Sequence, residues 1–162
     1  MTAKFEIPKP DKELIDKANK VKKAYLNNCQ ADDLQRKKAI NYMADALLNN
    51  TEKILEANNS DVKSAESKGI SSSLISRLRL SKDKLYLGIE GVRKVGQLDD
   101  PLGEIQINKE LSEGLILQRK TVPIGVIGVI FESRPDAVMQ ISSLAIRSGN
   151  GLILKGGSEA NH

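Results

Sequence analysis

The side chains able to do chemistry gather near the end of the sequence. Glu132-Ser133-Arg134 follows one apolar run, and Lys155-Gly156-Gly157-Ser158 follows another. An arginine offers a planar fork of donors that matches a carboxylate or a phosphate. A lysine placed before two glycines can hold an anion while the bare backbone lets a ligand come close. Ser158 can cap a following helix, whose N-terminus would favour negative charge. A solvated turn would show the same residue types, so composition alone leaves both readings open.

Other chemistry is poorly supported. Cys29 is the sole cysteine and lies in the polar stretch "LNNCQADD", far from any histidine. It reads as a structural or exposed thiol rather than an activated nucleophile. His162 is the one histidine, so no metal-ligand spacing exists. Gly125 and Gly128 sit inside an apolar run and do not form a dinucleotide fingerprint. Lys155 precedes its glycines, which excludes a P-loop.

Both clusters need elements to position them. Ile124 to Phe131 is apolar on both faces, as a strand buried in a parallel sheet would be. Pro135 to Arg147 reads as a helix with a stripe of Val138, Ile141, Leu144 and Ala145, Ser133 as its cap, Pro135 in its first turn and Gly149 as its stop. Gly151 to Leu154 is a second apolar strand. The order is β-α-β, which places both polar clusters at carboxyl ends of parallel strands, where such sheets bind ligands.

Upstream, residues 11 to 98 read as helices. Leu34, Ala39, Ile40, Met43, Ala44, Leu47 and Leu48 recur at helical spacing. Thr51 is the expected cap of a helix that carries Ile54, Leu55, Asn58, Val62 and Ala65 on one face, and Gly69 should end it. Ser71 to Ser73 can cap a short helix carrying Leu74 to Leu78. Another helix should run from near Ser81 to near Gly96, with Leu85, Ile89 and Val92 inward. After the turn at Asp99-Asp100-Pro101, residues 105 to 107 and 115 to 121 read as strands of a hairpin or ribbon.

The totals narrow the function classes. Net charge is +4, from 25 basic and 21 acidic residues. Lys20, Lys22 and Lys23, and Arg36, Lys37 and Lys38, read as solvated helix faces rather than a nucleic-acid footprint. Aromatic content of 3% also speaks against base stacking. One cysteine permits no disulfide within the chain, as suits a cytoplasmic location. "MTAKFEIPKPDKEL" lacks the apolar segment of a signal peptide. The longest apolar run, residues 123 to 131, falls well short of the roughly 20 residues of a spanning helix. No membrane partner is expected.

The segment "VPIGVIGVIFESRPDAVMQISSLAIRSGNGLILKGGSEA" resembles the γ-glutamyl phosphate reductase family, also called glutamate-5-semialdehyde dehydrogenases, within the aldehyde dehydrogenase superfamily. "FESRPD" and "RSGNGLILKGGSEA" carry the resemblance most specifically, and "SRLRLS" and "DDPLGEI" extend it into the helical half. It implies NADPH/NADP as cofactor and L-glutamyl 5-phosphate as small-molecule substrate, reduced to glutamate 5-semialdehyde and phosphate in proline biosynthesis. The resemblance also implies a cysteine thiolate that displaces phosphate from the acyl phosphate to give a thioester, from which hydride then releases the aldehyde. Glu132, Ser133 and Arg134 fall where the superfamily has Pro-Trp-Asn, so Arg134 replaces the oxyanion-holding amide and becomes a possible substrate or oxyanion contact. Salt bridges from Arg134 to Glu132 or Asp136 are the alternative. Lys155 matches the lysine that contacts the adenosine ribose. Ser158 stands where NAD-preferring members often carry a glutamate, which favours a 2′-phosphate. Gly156, Gly157, Glu132 and Ser133 complete the implied cofactor contacts. The strand 115–121 resembles the oligomerisation ribbon, which implies a homo-oligomer in the complete enzyme.

The expected fold class is therefore α/β: a helical N-terminal half followed by the start of a Rossmann-like, aldehyde dehydrogenase-like parallel sheet that is incomplete. The expected divisions are a helical part of the cofactor-binding domain at 1–100, a β-ribbon at 101–122 and a first β-α-β at 123–162. The family's catalytic cysteine falls beyond residue 162 and Cys29 does not match it, so an N-terminal fragment inactive by itself is expected. Its sheet should expose an apolar edge after Gly151 to Leu154 and self-associate. A non-catalytic ligand-binding or interaction module, or another aldehyde dehydrogenase, are the competing readings.

Overall fold

The computed structural model describes Lys9 and residues 11–162. The stretch read as lacking a signal-peptide core lies mainly outside the described residues. Five helices come first: α1 (Lys12–Asn28), α2 (Asp33–Asn49), α3 (Thr51–Ser67), α4 (Ser72–Leu78) and α5 (Lys82–Gln97). A hairpin follows, β1 (Ile105–Ser112) and β2 (Leu115–Lys120), and then β3 (Val126–Ile130), α6 (Pro135–Arg147) and β4 (Gly151–Lys155). None of the described helices is long and apolar enough to cross a membrane.

Local chemistry explains where the helices start. Asp32 accepts from the Gln35 N–H at 2.7 Å while the Gln35 side chain accepts from the Asp32 N–H at 2.9 Å, a reciprocal capping box for α2. Ser81 caps α5 as expected, accepting from the Lys84 N–H. Thr51 does not cap α3. The cap position is Asn50, and the Thr51 hydroxyl donates back to the Leu48 carbonyl at 2.7 Å. Consecutive helices with no loop between them leave that hydroxyl nearer the preceding turn than the following one.

The core lies between α2, α5 and α6. Ile40, Ala44, Leu85, Ile89, Val92 and Met139 are buried together. The stripe expected on α6 is rotated. Met139, Ser143 and Arg147, spaced four apart, face inward together with Ala145 of the expected stripe, whereas Val138 and Leu144 are exposed. Two features turn the helix. Gly88 of α5 lets the Met139 side chain approach where a Cβ would collide. Arg147 is 2% exposed and reaches Asp33 at 2.5 Å while donating to the Leu98 carbonyl. Arg36 likewise departs from the solvated face read from its charge run. It is 3% exposed, and its Nη2 donates to both Asp100 carboxylate oxygens at 2.7 Å. The buried guanidinium ties α2 to the turn before β1.

Asn58 sits on the inward face of α3, where a polar side chain needs partners. It finds them in the α4–α5 connection: its amide donates to the Leu78 carbonyl at 2.9 Å and its oxygen accepts from the Leu80 N–H at 2.8 Å.

The strands form two separate pairs. β1 and β2 are antiparallel, longer on the β1 side than expected, and exposed at every residue. β3 and β4 are parallel, in register from Val126–Gly151 to Ile130–Lys155, and joined through α6. Asn150 sets their start, its side-chain oxygen accepting from the Gly125 N–H at 2.9 Å. Gly151 is required where α1 crosses β4, because a Cβ there would lie 2.9 Å from the Tyr25 Cβ. β3 is not buried on both faces: Ile130 is 85% exposed, as is Ile124 just before the strand. The greater apolar exposure therefore belongs to β3, while α1 and α6 pack on β4.

Candidate functional site at the strand tips

The parallel pairing decides where the two polar clusters go. Ile130 is the register partner of Lys155, and the Phe131 N–H donates to the Lys155 carbonyl at 3.1 Å. Glu132-Ser133-Arg134 and Lys155-Gly156-Gly157 therefore leave the same edge of the sheet from neighbouring strands.

The structure joins the two tips through a residue that sequence reasoning did not single out. Glu159 lies in the turn after β4 and reaches back to the tip of β3. Its Oε1 accepts from the Ser133 N–H at 2.6 Å and from the Ser133 hydroxyl at 3.0 Å. Ser133 is 2% exposed and holds a φ of +49°, a left-handed conformation uncommon outside glycine. Such strain persists where surrounding contacts determine it, and Glu159 supplies them. Hydrogen bonding, first from its own backbone and then from Ser133, holds the Glu159 carboxyl below the usual glutamate range, with the Lys155 charge acting in the same direction. Burial opposes the shift. Gly157 is needed beneath this clasp, because a Cβ there would overlap the Glu159 carboxylate.

This geometry corrects two expectations. Ser133 does not cap α6; Arg134 occupies the cap position without a side-chain cap bond, and the Ser133 hydroxyl is spent on Glu159. Ser158 caps no helix among the described residues. It lies exposed in a turn, and its carbonyl accepts from the Asn161 side chain at 2.8 Å.

The remaining candidates divide between two clefts. Arg134 is exposed and lines a cleft of about 420 Å³ between the α4–α5 connection and the start of α6. Among the described residues it makes no salt bridge to Glu132 or Asp136. Gly156 lines a second, mostly apolar cleft of about 460 Å³ with Phe131, Pro135, Val138 and Leu154. At the far end of that cleft buried Asp61 accepts from the Asn161 and His162 N–H groups, both at 3.1 Å. Lys155 lines neither cleft; it is exposed and donates to the Gly156 carbonyl. Glu132 is exposed. Cys29 caps the end of α1, where its thiol donates to the Leu26 carbonyl at 3.3 Å, away from both tips.

The class of protein is an α/β fold in which packed helices lead into a parallel βαβ unit with both polar strand tips on one edge. Solved structures share it. γ-Glutamyl phosphate reductase from Saccharomyces cerevisiae is 40% identical with a TM-score of 0.85, covering 88% of this chain and 36% of that one. γ-Glutamyl phosphate reductase from Thermotoga maritima is 39% identical with a TM-score of 0.87, covering 91% and 36%. Among curated relatives, γ-glutamyl phosphate reductase of Prochlorococcus marinus strain MIT 9215 is 66% identical over 157 residues, 97% of this chain and 36% of the relative. That of strain MIT 9313 is 52% identical over 162 residues, 100% of this chain and 37% of the relative. No family model matches. The chain is thus similar to γ-glutamyl phosphate reductases along nearly all of its own length, and it spans little more than a third of theirs.

Proposed function

We propose that the chain is part of an NADPH-dependent reductase that converts L-glutamyl 5-phosphate to L-glutamate 5-semialdehyde and phosphate. The observation that carries this reading is the 66% identity sustained over 157 residues with a relative of that name. In this reading residues 1–100 form the helical part of the cofactor-binding domain, 101–122 an oligomerisation ribbon and 123–162 the first βαβ of the cofactor sheet. The fully exposed ribbon, with Ile107, Leu111 and Ile116 open to contact, supports a homo-oligomer. The setting is the cytoplasm.

The strand-tip residues fit a phosphorylated nucleotide. Lys155 presents an ammonium at the sheet edge, and Ser158 presents a hydroxyl where a carboxylate would repel a 2′-phosphate. The nearest carboxylate after them, Glu159, is folded back onto Ser133. When bound, the nicotinamide cofactor supplies hydride to an acyl group activated on a thiolate. That thiolate comes from residues outside these 162, because the Cys29 thiol sits at the end of α1. Arg134, at the β3 tip, meets the anionic substrate.

Two measurements on the complete enzyme test this reading. Reduction of NADP by glutamate 5-semialdehyde should require inorganic phosphate; turnover without phosphate would remove acyl-phosphate chemistry. Lys155→Ala and Ser158→Glu should each weaken NADPH about 10-fold while affecting NADH much less, as expected for a lost or opposed charge-assisted bond. Equal effects on both cofactors would remove the nucleotide assignment.

A further inference from the structure

The cleft that receives Arg134 carries an unusual charge pattern. Arg77 from α4, Arg79 and Lys84 from the α4–α5 region, and Arg134 line it together with Asp136 and Gln140 from α6. Arg79 is already paired with Glu66 at 3.1 Å. Arg77, Lys84 and Arg134 make no salt bridge among the described residues. Three uncompensated cations therefore converge on one concavity, although the chain as a whole carries only +4. The wall is rigid where it needs to be. Asn58 clamps the backbone at Leu78 and Leu80, which brackets Arg79 and fixes the segment between Arg77 and Lys84. Gly88, which also lines the cleft, admits the Met139 side chain of α6 against α5.

We propose that this cleft is the subsite for the α-amino-acid head group of the substrate. The α-carboxylate pairs with Arg77 and Lys84, and the α-ammonium with Asp136 and the Gln140 side-chain oxygen. The mixed lining favours this over a phosphoryl group, because a phosphate dianion in the same cleft would face the Asp136 carboxylate. The apolar Leu87 and Pro135 that also line the cleft suit the short methylene chain that separates an amino-acid head from its reacting end. Arg134, at the strand tip, lies at the junction between the head group and the reacting acyl carbon. The subsite rests on the reductase reading for the identity of the substrate, and it adds which residues hold which end.

The test is calorimetric binding of L-glutamate, glutarate and inorganic phosphate to the complete protein, which needs no turnover. Arg77→Gln and Lys84→Gln should each weaken L-glutamate about 10- to 100-fold, the range of a lost charge-assisted bond, and leave phosphate unchanged. Asp136→Asn should weaken L-glutamate but not glutarate, which lacks the ammonium. Arg77→Lys should restore part of the loss. Arg77 and Lys84 are exposed, so unchanged melting curves should accompany these effects. L-Glutamate binding that is absent, or indifferent to Arg77→Gln and Lys84→Gln, would overturn the subsite. So would variants that weaken phosphate instead, with Asp136→Asn tightening it, because the cleft would then take the phosphoryl end. A phosphate-independent reaction with intact Arg77-dependent L-glutamate binding would remove the reductase reading and leave the subsite standing.

Discussion

The helical layer and the strands of this chain solve the burial problem differently. In the layer, α2, α5 and α6 bury one another's apolar stripes, so Ile40, Leu85 and Val92 are fully enclosed. In the strands, every residue of the β1–β2 ribbon is exposed, and Ile130 of β3 and Ile124 just before it are open. Hydrogen bonding within each strand pair is satisfied, but apolar burial is not. Paired strands with open apolar surface are the parts of a fold that accept further elements. The candidate site sits where the two kinds of region meet: the enclosed helices fix the cleft walls, and the open strands deliver the polar tips.

The largest expected effect breaks the comparison directly. Leu85→Ala should cost about 2–5 kcal/mol, because it leaves a cavity in an enclosed cluster. Ile116→Ala on the ribbon should change stability by less than about 0.5 kcal/mol, because Ile116 is already in solvent. Denaturant unfolding of both variants checks this. A comparable loss at Ile116 that does not depend on protein concentration would mean that the ribbon is covered within its own chain, and the contrast between regions would fail.

A smaller effect tests a polar contribution inside the helical layer. Asn58→Ala should cost about 1–3 kcal/mol, since it leaves the Leu78 carbonyl and the Leu80 N–H without their buried partner. Faster amide exchange at Leu80 than at Leu85 would locate the loss in the α4–α5 connection. Unchanged exchange would show that water replaces the amide and that the connection holds its shape without it.

These residues also show what periodicity can and cannot convey. Ile40, Ala44, Leu85, Ile89 and Val92 follow from helical spacing, and Asn58 falls on an inward face by the same count. The two strand tips follow from apolar runs that end in polar residues. What spacing cannot convey is a contact made through space by a charged side chain. Arg36 looks solvated until Asp100 is seen opposite it, and no spacing pairs Arg147 with Asp33. The exposure of β3 was hidden for a different reason. An apolar run signals a strand meant for burial, and nothing among the described residues covers its second face. The Ser133–Glu159 clasp joins residues 26 apart and depends on a left-handed serine, which no residue pattern announces.

The smallest expected effect concerns that clasp, where an open strand is held by a side chain rather than by packing. The Glu159 carboxyl is lowered from 4.5 in the folded chain. In the window just below that value the unfolded chain binds the proton that the folded chain still refuses. Stability therefore rises with pH through this window. The contribution of Glu159 is fully present above the ordinary glutamate pKa and is lost as pH falls through the lowered folded value. A carbon-13 titration of the side-chain carboxyls should show Glu159 with a midpoint below the ordinary glutamate value, and Ser133→Ala should move it upward. Glu159→Gln should remove this share of the pH dependence while keeping an oxygen for the Ser133 N–H, so the β3 tip should hold its shape at neutral pH. If Ser133→Ala left the Glu159 midpoint where it was, the Ser133 N–H, the backbone of Glu159 and Lys155 would account for the shift. The two strand tips would then be joined through the backbone donor alone, and the hydroxyl would add nothing.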